Sequence, residues 1–203
     1  SNVTNMYKMF WEAESFNQDI SSWNVGNVNN FEYTFFRAFD FNQDISSWDV
    51  SGATNMTRMF QNAQSFNQNI NSWDVSNVLT MDEMFFGTFT FNQPLNNWNT
   101  SNVNNMQFMF NASAFNQDIS NWDTSNVTTM RAMFANNTVF NQPIGNWDVS
   151  SVTDMLVMFS GASSFNQDLT NWCVTNITSE PSNFSADCPL TQQNKPIWGT
   201  CPP

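Results

Sequence analysis

Two hydrophobic patterns alternate along this chain. In one, apolar and polar positions follow a helical period: Val127, Met130, Met133, Phe134 and Asn137, and in parallel Val152, Met155, Met158, Phe159 and Ala162. The offsets 0, 3, 6, 7 and 10 trace one face of a short helix. Thr128 and Thr153 precede it as N-caps. A helix of about eight to ten residues is marginal alone in water, so its neighbours must hold it. The other pattern is "FNQDISSWDV" at 41–50, with β-branched and aromatic residues set among Asn, Asp and Ser. It predicts one or two short strands joined by turns.

Both patterns belong to one unit. Trp recurs at 23, 48, 73, 98, 122, 147 and 172, and "FNQ" starts at 16, 41, 66, 91, 115, 140 and 165. The spacing is 25 except for one of 24, and the missing residue falls between Phe110 and Phe115. A deletion there marks a loop that tolerates length change. All twelve Met occupy two positions of the unit, and only the second copy departs, with Phe31 and Thr34. A unit this short cannot bury its own apolar face, but stacked on its copies it can. The prediction is a right-handed α/β solenoid of leucine-rich-repeat type, one strand region and one helix per coil. At one strand spacing per coil its seven coils would run about 35 Å. An all-β solenoid, with a third strand in place of the helix, is the alternative.

The array spans 1–178, and from 179 to 203 the pattern stops. This last segment holds five of the seven Pro and two of the three Cys, and it reads as the cap that a terminal coil needs. One disulfide and one free thiol is the simplest use of Cys173, Cys188 and Cys201. A Cys173–Cys201 bridge would pin the cap to the last coil, while Cys188 paired with either remains open. The chain opens inside its own motif, at "SNVTNMYKMF", which predicts a processing boundary at Ser1. The first coil would then be uncapped, favouring end-to-end self-association or a missing neighbour.

Composition narrows the partners. Five Lys+Arg against 17 Asp+Glu give a net charge of −12. Phosphate binding needs clustered cations, so nucleic acid is an unsuitable partner, as is an anionic membrane surface. No apolar run reaches the length of a membrane span. Cysteines used as a disulfide suit an extracellular protein. His-based triads and metal sites are absent because there is no His, and the six Gly form no phosphate loop. Paired carboxylates could hydrolyse glycosides, but a ladder of equivalent carboxylates offers no differentiated site. The expectation is a non-enzyme without cofactors, calcium being the one candidate.

The candidate residues fall into ladders and exceptions. Asn17, Asn42, Asn67, Asn92, Asn116, Asn141 and Asn166 occur in every copy, as structural residues turned inward to satisfy backbone groups at a bend. The Trp and Phe columns are core. Asp19, Asp44, Asp118 and Asp168 form one acidic column, and Asp49, Asp74, Asp123 and Asp148 another. Such oxygen-rich columns suit Ca²⁺. The competing reading, favoured because Asn often replaces Asp, is that each accepts turn N–H groups. Residues that vary between copies are free of the core's demands. Tyr7, Trp11, Tyr33, Arg58, Phe86, Phe108 and Arg131 are the expected binding surface.

The stretches "FNQDISSWDVSGATNMTRMF" and "FNQDISNWDTSNVTTMRAMF" resemble the BspA-like leucine-rich-repeat surface proteins, known from Bacteroidetes secreted proteins and mycoplasma surface lipoproteins. The resemblance covers 1–178, and "NWCVTNITSEPSNF" with "NKPIWGTCPP" resembles the closing segment of flavobacterial members. It implies a secreted or cell-surface location, a role in adhesion and no catalytic residue. It also implies that this is the repeat region of a longer protein. The expected partner is a protein or glycan on another cell or matrix. A glycan-binding module and a passive spacer are the competing functions.

Overall fold

The computed structural model describes residues 3–202. Ser1, where a processing boundary is expected, and the end of the expected cap at 203 lie outside them. Each 25-residue copy is one coil, and consecutive coils stack in register. We number coils 1 to 7 by the residues that bridge in parallel: Asn5, Asn30, Asn55, Thr80, Asn105, Thr129 and Asp154.

Among the described residues the predicted helix and strand are both absent, which corrects the α/β solenoid and equally the all-β alternative. Among the described residues the one helical element is a 3-10 turn at Gln192–Asn194, and the pairing between coils consists of isolated bridges. The segment read as a helix is a run of tight turns. Each coil holds two left-handed residues four apart, such as Arg58 (φ 56°) and Asn62 (φ 57°), or Phe108 (φ 53°) and Ala112 (φ 51°). A right-handed helix does not continue through such residues. The N–H groups alternate in direction instead. Arg58, Phe60 and Asn62 donate to the carbonyls of Asp82, Met84 and Phe86 in the next coil, while Met59, Gln61 and Ala63 close turns on Met56, Arg58 and Phe60. This accounts for the backbone polar groups with neither a helix nor a sheet.

The helical period misled for a physical reason. A chain of four-residue turns brings side chains inward at intervals of three and four, as a helix does. The inward set is therefore the one read from the pattern: Val127, Met130, Met133, Phe134 and Asn137 are all fully buried. Thr128 and Thr153 are not N-caps. Their hydroxyls donate to the Asn104 and Thr128 carbonyls of the preceding coils. The turn is opened one residue later, where Asn55 Oδ1 accepts the Thr57 N–H at 2.9 Å and Asp154 Oδ1 the Leu156 N–H at 2.9 Å.

The core is a continuous set of aromatic columns. Phe35, Phe60, Phe85, Phe110, Phe134 and Phe159 stack along the axis with centroids 5.6–5.8 Å apart. A second column, Phe41 through Phe165, packs against the first, as in Phe60–Phe66 at 4.0 Å. The Trp column also packs against the first, as in Phe60–Trp73 at 6.2 Å. Each indole N–H from Trp48 to Trp172 donates to the Ile or Leu carbonyl of the preceding coil at 3.0–3.1 Å. The buried donor is thus satisfied while its ring fills the core.

Beyond 178 the motif disappears but the backbone path persists. Val157, Phe159 and Gly161 donate to Ser182, Phe184 and Ala186, and Asn183 and Asp187 repeat the left-handed pair. Phe184 turns edge-on to Phe159, and Trp198 is edge-on to Phe184, so the parallel column ends there. Cys173 and Cys201 are disulfide-bonded. No helix among the described residues is long and apolar enough to cross a membrane.

Candidate functional site

The repeated polar residues hold the coils to themselves and to one another. The Asn ladder does not turn inward. It lies at the surface and runs along the axis: Asn17 Oδ1 accepts the Asn42 N–H at 3.0 Å and the Gln43 side-chain amide at 2.9 Å. Asn42, Asn67, Asn92, Asn116 and Asn141 repeat the contact, each to the next coil, up to Asn166.

Each Asp of the two columns holds its own turn. Asp19, Asp44, Asp118 and Asp168 accept the N–H two residues on, from Ser21, Ser46, Ser120 and Thr170. Asp49, Asp74, Asp123 and Asp148 do the same with Ser51, Ser76, Ser125 and Ser150. Hydrogen bonds from these serines to the carboxylates lower the pKa of Asp49, Asp74 and Asp123. Among the described residues no three or more His, Cys, Asp or Glu converge as metal ligands.

The variable residues on the turn face do converge. Lys8 Nζ lies 4.7 Å from the Trp11 ring, 5.3 Å from Tyr7 and 5.5 Å from Tyr33. Tyr7 meets Tyr33 edge-on at 6.1 Å, Tyr33 meets Phe36 at 5.4 Å, and Trp11 stacks on Phe36 at 6.2 Å. Tyr7 and Trp11 are 47% and 43% exposed. Arg58 covers the far side of Tyr33, hydrogen-bonds its hydroxyl and pairs with Glu83 at 2.6 Å. Gln61 donates to the other Glu83 oxygen at 2.6 Å. The sequence repeats every 25 residues, so positions 7–8, 32–33, 57–58 and 82–83 become lateral neighbours.

Lys8 differs from the other cations. Arg37, Arg58, Arg131 and Lys195 each have a carboxylate at ion-pair distance: Glu12, Glu83, Asp154 and Glu180. Among the described residues Lys8 has none, and aromatic rings surround it instead. Beside this patch Asp82 is pushed up to about 6, first by burial and then by Glu83.

Of the expected surface residues, Tyr7, Trp11, Tyr33 and Arg58 form this single patch. Phe86, Phe108 and Arg131 lie farther along the same face, half-buried and outside the ring contacts. Sequence reasoning passed over Lys8 as an anchor, and it passed over Phe39 and Phe89. These two Phe sit at the corner after the second turn, where other copies carry Glu14, Gln64 or Ser163. An aromatic at a position otherwise polar was the available signal. Cys188 stays a half-buried thiol whose Sγ donates to the Phe165 carbonyl at 3.3 Å.

No curated protein and no solved structure matches the chain. The family described as "Mycoplasma protein of unknown function, DUF285" matches it twice, over 1–98 and 79–198. Those two overlapping spans take in the whole repeat array, and the chain belongs to this repeat family.

Proposed function

We propose that the chain is a non-catalytic interaction module of a secreted or cell-surface protein, of the BspA-like adhesive kind, and that it holds a protein partner. The observation that carries this reading is the exposed ring cluster around Lys8. Tyr7, Trp11 and Tyr33 with Arg58 in one patch are the residue types of interface anchors. The invariant core leaves the side chains of this face free to differ from coil to coil. The disulfide between Cys173 and Cys201 supports an oxidising location. The non-catalytic reading rests on the carboxylates of the two Asp columns, each spent on a turn N–H, and on the absence of His.

Beads carrying the protein, layered on cultured epithelial cells and on extracellular matrix, provide the test. Trp11→Ala with Tyr33→Ala should reduce retention at least ten-fold while the melting temperature changes little. Retention unchanged in the double variant would favour the passive spacer. Retention lost after deglycosylating the cells but not after protease treatment would favour glycan recognition by this patch.

A further inference from the structure

The short fifth coil leaves a notch in the side of the stack. Between the second turn and the next Phe, most coils place two corner residues, such as Gln64 and Ser65 or Ser163 and Ser164. Coil 5 has Ala114 alone. Its N–H reaches back to the Thr88 carbonyl at 3.3 Å. A cavity of about 280 Å³ opens to solvent beside this corner. Phe89 of coil 4 and Val139 of coil 6 stand beside it, and Ala112, Ser113, Ala114, Asn136 and Thr138 complete its lining.

The lining has a specific chemistry. Phe89 is 58% exposed and stacks on no ring among the described residues, whereas Phe39, at the same corner of coil 2, is covered by Arg37 at 5.5 Å. Val139 adds a second apolar wall, 42% exposed. The Asn136 side-chain amide and the Thr138 hydroxyl have no hydrogen-bond partner among the described residues. The lining carries no charged residue, although the chain as a whole carries −12. That field repels an anionic ligand, and no carboxylate in the lining attracts a cation.

A concave site with an exposed aromatic platform, one unused amide, one unused hydroxyl and no charge suits a ligand with an apolar ring face and neutral hydroxyls. We infer that the notch binds one ring of a neutral saccharide. The C–H face of the ring packs on Phe89 and Val139, and its hydroxyls bond Asn136 and Thr138. This site is separate from the patch around Lys8 and does not depend on a role for that patch.

The test is saturation-transfer NMR on the whole chain, with methyl β-galactopyranoside, methyl β-glucopyranoside and N-acetylglucosamine as probes. At least one should receive transfer at its ring protons, with a dissociation constant on the order of 1 mM, as a single ring in a shallow site gives. Phe89→Ala removes an exposed ring and should weaken binding about ten-fold without moving the melting temperature. Thr138→Val should weaken it about three-fold. A serine inserted after Ala114 restores the 25-residue spacing, places a second corner residue at the notch and should abolish transfer. Absence of transfer from all three sugars overturns the proposal, as does transfer that survives both Phe89→Ala and the insertion. Stronger binding of N-acetylphenylalaninamide than of every sugar also overturns it, and makes the notch a pocket for a peptide side chain.

Discussion

The Asn137 side-chain amide donates to the Phe115 carbonyl at 3.0 Å, across the boundary between the short coil and the next. Its Oδ1 accepts the N–H groups of both Val139 and Phe140, at 3.1 and 3.0 Å. Coils 2, 3 and 7 place Ala38, Ala63 and Ala162 at this depth. Where one residue is missing, a buried Asn supplies the bonds. Asn137→Ala should leave these groups unpaired, at about 1–3 kcal/mol for each that water does not reach. The expected loss in urea unfolding is about 2–4 kcal/mol in total. Restoring the missing residue after Ala114 in the same variant should recover part of it.

The left-handed residues provide a sign test of the backbone. Ala112 has φ 51°, in a region that costs a residue with a Cβ roughly 1 kcal/mol. In a helix, Ala→Gly would destabilise by about 1 kcal/mol. Here Ala112→Gly should leave stability unchanged or raise it by up to about 1 kcal/mol in chemical denaturation.

Adjacent phenylalanines should differ sharply. Phe85 is fully buried between Phe60 and Phe110, while Phe86 lies half-buried on the turn face. Phe85→Ala should cost about 3–5 kcal/mol and Phe86→Ala about 1 kcal/mol or less. Thermal melting of the two variants side by side checks the difference.

Asp82 should make stability fall toward neutral pH. Its folded-state pKa is raised from the ordinary 3.8 to about 6, by burial and by Glu83 and Glu32, against the pull of Gln107 and Arg58. The folded chain therefore prefers the protonated acid. The stability this contributes is complete below about pH 4 and is lost as pH rises through about 6. Asp82→Asn removes the loss, because the amide stays neutral. Its melting temperature at about pH 7.5 should exceed the parent's by a few degrees, and its drop from about pH 5 should be smaller.

Reduction should loosen the cap first. The Cys173–Cys201 bond closes a loop with a sequence separation of 28 and holds the cap's end to the last coil. Cys173→Ser with Cys201→Ser should cost about 2–4 kcal/mol. Hydrogen exchange should show protection lost between about 180 and 200 before it is lost in the Phe columns.

The inward-facing residues and the stacking were legible in the sequence, because core positions recur every 25 residues wherever a coil meets its copy. The Cys173–Cys201 pairing was one of the options the sequence left open, and the fold brings those two cysteines together. The backbone was not legible. Val127, Met130, Met133 and Phe134 are spaced for a helix and for a run of tight turns alike. Nothing local separates the two, because the bonds that decide run to residues a full coil away, as from Phe110 to Met133. The Asn ladder was misplaced for the same reason: Asn17 satisfies Asn42, and its partner is the next copy rather than its own bend.

The sequence by itself thus determined the period, the buried set and the one short coil, since these are properties of spacing and hydrophobicity along the chain. The tertiary structure decided which way each N–H points, that left-handed turns replace helix and strand, and that Tyr7, Lys8, Trp11 and Tyr33 meet on one face. It also turned the missing residue into a notch between Phe89 and Val139. Those outcomes depend on groups 24 or 25 residues apart lying one coil from each other, and such proximity exists only once the coils have stacked.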